Sequence, residues 1–151
     1  MTFLEVNRRM VYRFLLAAVG PHEADDCFQE TFLAALRAYP RLRDGEHLDR
    51  WILRIATRKA IDAHRGRRRR PIPSLESAAL ADRPAVDETW DPSDPLWAAV
   101  RSLPPKQRVA VVHRHVLDRP YAEIAELLGC SREAARANVH EGTRKLKEAM
   151  R

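Results

Sequence analysis

The chain has 151 residues, 45% of them apolar and 32% charged, with a net charge of +6 at pH 7. That length suits one ordinary domain or two small ones, and the excess of positive charge points to a polyanionic partner. No apolar run approaches the roughly 20 residues of a membrane span, and the opening MTFLEVNRRMVYRF carries charges where a signal peptide needs an apolar core, so a cytoplasmic protein without membrane contact is expected.

Helix-period spacing of apolar residues dominates both ends of the chain, and no strand pattern stands out. The first helix is predicted from about Thr2 to Val19, with Phe3, Val6, Met10, Phe14 and Leu15 on one side and Arg8, Arg9 and Arg13 elsewhere. Gly20–Pro21 reads as a stop followed by a new first turn. The second helix is predicted over Pro21–Tyr39. Glu23, Asp25 and Asp26 sit in its first turns, where the helix dipole favours acids, and Phe28, Phe32, Ala35 and Leu36 form its inward stripe. A loop reading RLRDG follows Pro40, and a third helix runs from about Glu46 into RGRRRR. Three such helices can bury a small core.

The third helix has two arcs. Leu48, Ile52, Leu53, Ile55, Ala56, Ala60 and Ala63 share one side; Arg50, Arg54, Arg58 and Arg65 stack on another, with Trp51 at the boundary and Lys59 inside the apolar arc. A solvated surface is the plain reading of such a stripe. Like charges four residues apart repel by a few tenths of a kcal/mol per pair, however, and a partner rich in phosphates turns that repulsion into charge-assisted bonds. An aromatic side chain beside arginines also suits stacking on unpaired bases, worth roughly 1–3 kcal/mol per base.

Charge alternates along the rest of the chain. Residues 46–70 hold nine basic and three acidic side chains, residues 71–99 one and six, and residues 100–151 eleven and six. Five of the ten prolines lie between Pro71 and Pro95, so this acidic stretch reads as an extended linker. Helical structure restarts near Pro95, stops at Pro104–Pro105, and continues over about Pro105–Leu117. A short helix after Pro120 buries Ile124, Leu127 and Leu128. Gly129 closes it, Ser131 caps the last helix, and that helix packs through Ala134, Ala135, Val139 and Leu146. Short helix, tight turn and polar-faced second helix make a helix-turn-helix, for which a plain helical hairpin is the alternative.

The predicted fold is therefore all-α, with a three-helix N-terminal domain over 1–70, a linker over 71–94 and a C-terminal helix-turn-helix domain over 95–151. Cys27 and Cys130 match no zinc spacing, and His113 and His115 lack a further ligand at a suitable distance along the chain. Neither a metal nor a cofactor is expected. A nucleic-acid enzyme would need a nucleophile among arginines, and Tyr12, Tyr39 and Tyr121 do not offer one.

At this point the motifs carry a resemblance. EADDCFQETFLAALRAYPRLRDGEHLDRWILRIATRKAIDAHR resembles the second region of bacterial extracytoplasmic-function (ECF, group IV) sigma factors, and LPPKQRVAVVHRHVLDRPYAEIAELLGCSREAARANVHEGTRKLK is similar to their fourth. The resemblance spans nearly the whole chain. It implies a sigma factor that binds core RNA polymerase through the largest subunit's clamp coiled coil and the flap, recognises promoter DNA and helps melt it, with no catalytic residues of its own and an anti-sigma factor as regulator. It places Asp26, Gln29, Glu30, Phe32 and Leu33 at the polymerase. It places Arg43, Asp44, His47, Trp51, Arg54, Arg58, Lys59 and Arg65 at the −10 element, where a flipped base is received. Arg114, Arg132, Glu133, Arg136, Asn138 and His140 fall at the −35 element, Arg136 being suited to a guanine edge or a phosphate.

The chain departs from the family at Arg58, where asparagine is common, at Ala137–Asn138, where Ser-Arg is common, and at Glu141, where a basic residue is common. Its N-terminus begins a few residues later than usual, so a short first helix or a start upstream is expected. The alternative from the residues alone is an autonomous helix-turn-helix regulator that dimerises through its N-terminal helices and binds a palindromic site.

Overall fold

The computed structural model describes residues 3–42, 47–65, 91 and 93–151. Seven α-helices and no strand occur among them: α1 Phe3–Val19, α2 Pro21–Ala38, α3 Leu48–Arg65, α4 Pro95–Arg101, α5 Pro105–His115, α6 Tyr121–Leu128 and α7 Arg132–Ala149. The all-α expectation holds. Nearly all of the segment read as a linker lies outside the described residues.

Local chemistry sets the boundaries. Gly20 turns with φ 85°, a left-handed conformation that suits a residue without a Cβ, and Pro21 opens α2 at the position where a missing N–H costs nothing. A 3₁₀ turn, Tyr39–Arg41, tightens the chain around Pro40 after α2. Asp94 caps α4 by accepting from the Leu96 N–H at 2.9 Å. Gly129 closes α6 with φ 68°, and the Ser131 hydroxyl accepts from the Ala134 N–H at 3.1 Å to start α7. These stops fall where the sequence puts them. The fifth helix ends two residues earlier than expected, at His115, and the chain then turns through Asp118 at φ 53°.

Of the stripe expected on α1, Phe14 and Leu15 are fully buried and Met10 is half-buried, with Val11 and Ala18 fully buried beside them; the side chains of Phe3 and Val6 lie outside the described residues. Tyr12 meets Phe28 edge to face at 5.5 Å and donates to Asp25 at 3.1 Å. On α2, Phe28, Phe32 and Ala35 are buried, but Leu36 is 60% exposed. The expectation that Leu36 faces inward is corrected. It lies roughly 80° around the helix from Phe28, towards Gln29, beyond the reach of α1 and α3.

The helix-turn-helix has a small core of its own, Ala110, Ile124, Ala125, Ala135 and Val139. Helix α7 approaches α5 closely at Gly142, where a Cβ would stand 2.6 Å from the Val111 side chain.

The two halves are not separate bodies on a tether. One apolar cluster runs from α1–α3 into Val100, Val109, Val112 and Leu127 of the second half. The broad apolar arc of α3 explains this: Ile52, Leu53, Ala56 and Ala60 are buried, and the helix packs against α1 and α2 and also against α5 and α6. The Phe14 ring stacks on His113 at 4.3 Å, nearly parallel. The Thr57 hydroxyl donates to the Leu53 carbonyl at 2.6 Å, which leaves its oxygen to accept from His113 Nε2 at 2.9 Å. Arg108 reaches back to the end of α1, donating to the Ala18 carbonyl at 3.3 Å and to the Leu103 carbonyl at 3.0 Å.

Candidate nucleic-acid interface

Three surfaces collect the residues singled out in the sequence. On α2, Asp26, Gln29 and Leu33 are half-buried and Glu30 is exposed, at helical spacings that give one face. Phe32 is 7% exposed and belongs to the core, so it supports this face from behind and does not line it. Leu36 continues the face, and Tyr39 beyond it is 56% exposed. An acidic and amide strip beside exposed apolar side chains suits a basic helical partner.

On α3, Arg54 and Arg58 are exposed, while Trp51 and Lys59 are half-buried. Trp51 packs on the shared core, and its backbone N–H donates to the backbone carbonyl of the exposed His47 at 3.0 Å. Arg43 and Asp44, and the side chain of Arg65, lie outside the described residues.

The start of α3 carries an arrangement that the sequence reading missed. Arg50 pairs with Glu123 and Glu126 of α6, each at 3.5 Å. Arg119 donates to Asp49 at 2.7 Å, to Glu123 at 3.1 Å and to the Met10 sulfur at 2.9 Å. Burial raises the Asp49 carboxyl, but the Arg119 hydrogen bond, backbone N–H donors led by that of Arg50, and the Arg119 charge together hold the group below its ordinary range. Burial likewise disfavours charge on Arg119, and its two carboxylate partners more than restore it. Part of the basic stripe on α3 is thus matched by acids within the chain.

His113 lies at the centre of the same junction, fully buried. Burial first, and the Arg119 charge second, push its pKa down to about 3, so it is neutral at physiological pH. Its Nδ1 has no hydrogen-bond partner among the described residues. Nothing in the sequence distinguishes it from the exposed His115 two residues on.

On α7, Arg132, Glu133, Arg136 and His140 are exposed, on successive turns of one face. Asn138 is half-buried and donates to the Ala134 carbonyl at 3.0 Å, which turns it towards its own helix and away from that face. Arg114 is half-buried; it donates to the Arg119 carbonyl at 3.3 Å and lies 4.7 Å over the Tyr121 ring. Arg136 approaches the same ring at 5.5 Å. Glu141 is paired with Arg144, whose hydrogen bond holds the carboxyl below its ordinary range, and Arg144 also bonds Glu148. The Glu141 charge is therefore offset within its own helix.

Among the described residues no group of three or more His, Cys, Asp or Glu side chains could hold a metal ion, and no helix is long and apolar enough to cross a membrane. Cys27 and Cys130 are not joined in a disulfide.

Comparison with known proteins places the chain. Residues 3–70 match the sigma-70 region 2 family and residues 93–146 match sigma-70 region 4. The chain is 36% identical over 130 residues to the RNA polymerase sigma factor CarQ of Myxococcus xanthus, covering 84% of this chain and 74% of CarQ. It is 33% identical over 157 residues to the ECF sigma factor SigD of Mycobacterium tuberculosis, covering 96% of this chain and 74% of SigD. The chain belongs to the ECF sigma-factor family. Against SigG of the same organism, 34% identity over 137 residues covers 73% of this chain but only 37% of SigG, so the chain spans little more than a third of that relative. In fold it is similar to the sigma factor RpoE of Bartonella quintana, solved with the anti-sigma factor NepR, with TM-score 0.75, 22% identity and coverage of 97% of this chain and 93% of RpoE.

Proposed function

We propose that this protein binds core RNA polymerase, directs it to promoters and assists strand separation, its whole chemistry being binding. The observation that carries this is the presence on one family member of two unlike surfaces: the acidic and apolar face of α2, suited to a protein, and the arginine faces of α3 and α7, suited to DNA. On this reading residues 1–70 dock on polymerase and handle the −10 element, residues 71–94 link, and residues 95–151 read the −35 element. Gln29, Glu30, Leu33 and Leu36 meet the clamp; Arg54 and Arg58 follow the displaced strand; Arg132, Glu133 and Arg136 enter the −35 groove. A cytoplasmic location follows from the partner.

An anti-sigma protein as regulator is part of the same proposal, and the complex of the structural neighbour RpoE with NepR supports it. Run-off transcription with core polymerase on a promoter library tests the function. Promoter-specific transcripts should require both proteins, and the double variant Gln29→Ala, Glu30→Ala should stop co-purifying with core enzyme while melting like the wild type. Tight, specific duplex binding by the chain alone, on a palindromic site, would support the autonomous regulator in its place.

A further inference from the structure

Tyr121 is the first residue of α6 and so far has no role. Its ring packs against the small helix-turn-helix core of Ala110, Ile124, Ala125, Ala135 and Val139. That packing makes the ring a fixed part of the wall. Two cations from two other helices lie over it, Arg114 of α5 at 4.7 Å and Arg136 of α7 at 5.5 Å. Arg114 is tied down a second time, by its bond to the Arg119 carbonyl. Two guanidinium groups repel, yet the same aromatic ring attracts both. Beside them opens a cleft of about 480 Å³ lined by Pro120, Tyr121, Ala122, Arg132, Glu133 and Arg136.

We infer that Tyr121 is a positioning residue for promoter choice: it parks the Arg136 guanidinium over the cleft, where it meets base edges. The inference rests on the reading of α7 as the −35 helix. An exposed arginine samples many rotamers, and phosphates, which carry no sequence information, are the most abundant acceptors within its reach. A guanidinium held over a fixed ring loses most of that freedom before DNA arrives. Glu133, in the same cleft, works in the same direction. Its carboxylate repels phosphate and accepts from a cytosine amino group. The arrangement therefore contributes to discrimination between sequences and little to general affinity for DNA.

The test is transcription by the complete holoenzyme on two templates that differ only in an intact or a scrambled −35 element, read as the ratio of transcripts. Tyr121→Leu should lower that ratio about two- to fivefold, the size of an exposed cation–aromatic contact. Tyr121→Phe, which keeps the ring, should hold the wild-type ratio. The salt dependence of promoter binding should stay the same in both variants, because phosphate contacts are untouched. Tyr121→Met fills similar space without a ring and carries the same expectation should the leucine variant not fold. A leucine variant that discriminates as well as the wild type overturns the inference alone, as does a phenylalanine variant that falls as far as leucine. A wild-type protein indifferent to the −35 sequence overturns the reading of α7 and the inference with it.

Discussion

The two basic helices, α3 and α7, differ in what meets their charge. On α7 the arginines of the outward face, Arg132 and Arg136, are exposed, Arg136 resting against the Tyr121 ring, and the one strongly paired cation, Arg144, pairs with acids of its own helix. On α3 the pairing reaches across the molecule: Arg50 finds Glu123 and Glu126, and Asp49 finds Arg119. Beneath those pairs lies an apolar seam joining both halves. A charged helix is therefore not one kind of object. The same residue types make an exposed surface on α7 and a junction on α3, and what decides is the width of the apolar arc behind them.

The contrast can be broken at the seam first. Phe14→Ala removes the ring that stacks on His113 in a fully packed site, and should lower stability by about 3–5 kcal/mol in urea unfolding; a loss under 1 kcal/mol would mean that the seam is loosely packed. Next comes His113. Its pKa is about 3 in the folded chain against an ordinary 6.5, so it favours the folded state while neutral, and that contribution fades as pH falls through 6.5 towards 3. Between pH 7 and pH 5 the loss should be about 2 kcal/mol. His113→Leu should flatten that part of the pH–stability curve, as thermal melts at the two pH values would show.

The ionic layer is weaker. Arg119→Ala should lower stability by about 1 kcal/mol, because Asp49 and Glu123 are partly exposed and water screens the pairs. Arg144→Ala, on the exposed face of α7, should leave the melting midpoint where it is. Equal effects of these two alanine substitutions would erase the distinction between junction and surface.

Much of the fold is legible in the sequence because its signals are local. Gly20–Pro21, Pro104–Pro105, Gly129 and Ser131 each act within one turn, and each marks a real boundary. The helix-turn-helix face is legible for the same reason, since Arg132, Glu133, Arg136 and His140 follow the helical repeat. Two assignments on α2 show the limit of periodicity. Phe32 and Leu36 are one turn apart on the edge of the same apolar arc, yet the first is buried and the second exposed. Periodicity gives the direction of an arc; it does not say where the neighbouring helices stop. Asn138 was expected on the reading face, but it lies roughly 200° around the helix from Arg136. The contacts between the halves were beyond reach altogether. Arg119 and Asp49 are 70 residues apart and Thr57 and His113 are 56 apart, and no local pattern announces such pairs.

The seam also bears on cooperativity. Val100, Val109, Val112 and Leu127 share a cluster with Val11, Phe14, Ile52 and Leu53, so neither half can melt without stripping cover from the other. Heat and denaturant should meet one transition in this chain where two tethered domains would give two. Separating the halves while each stays folded is then a different event from unfolding: it bares the same apolar side chains to water, and only a binding partner that covers them makes that state lasting.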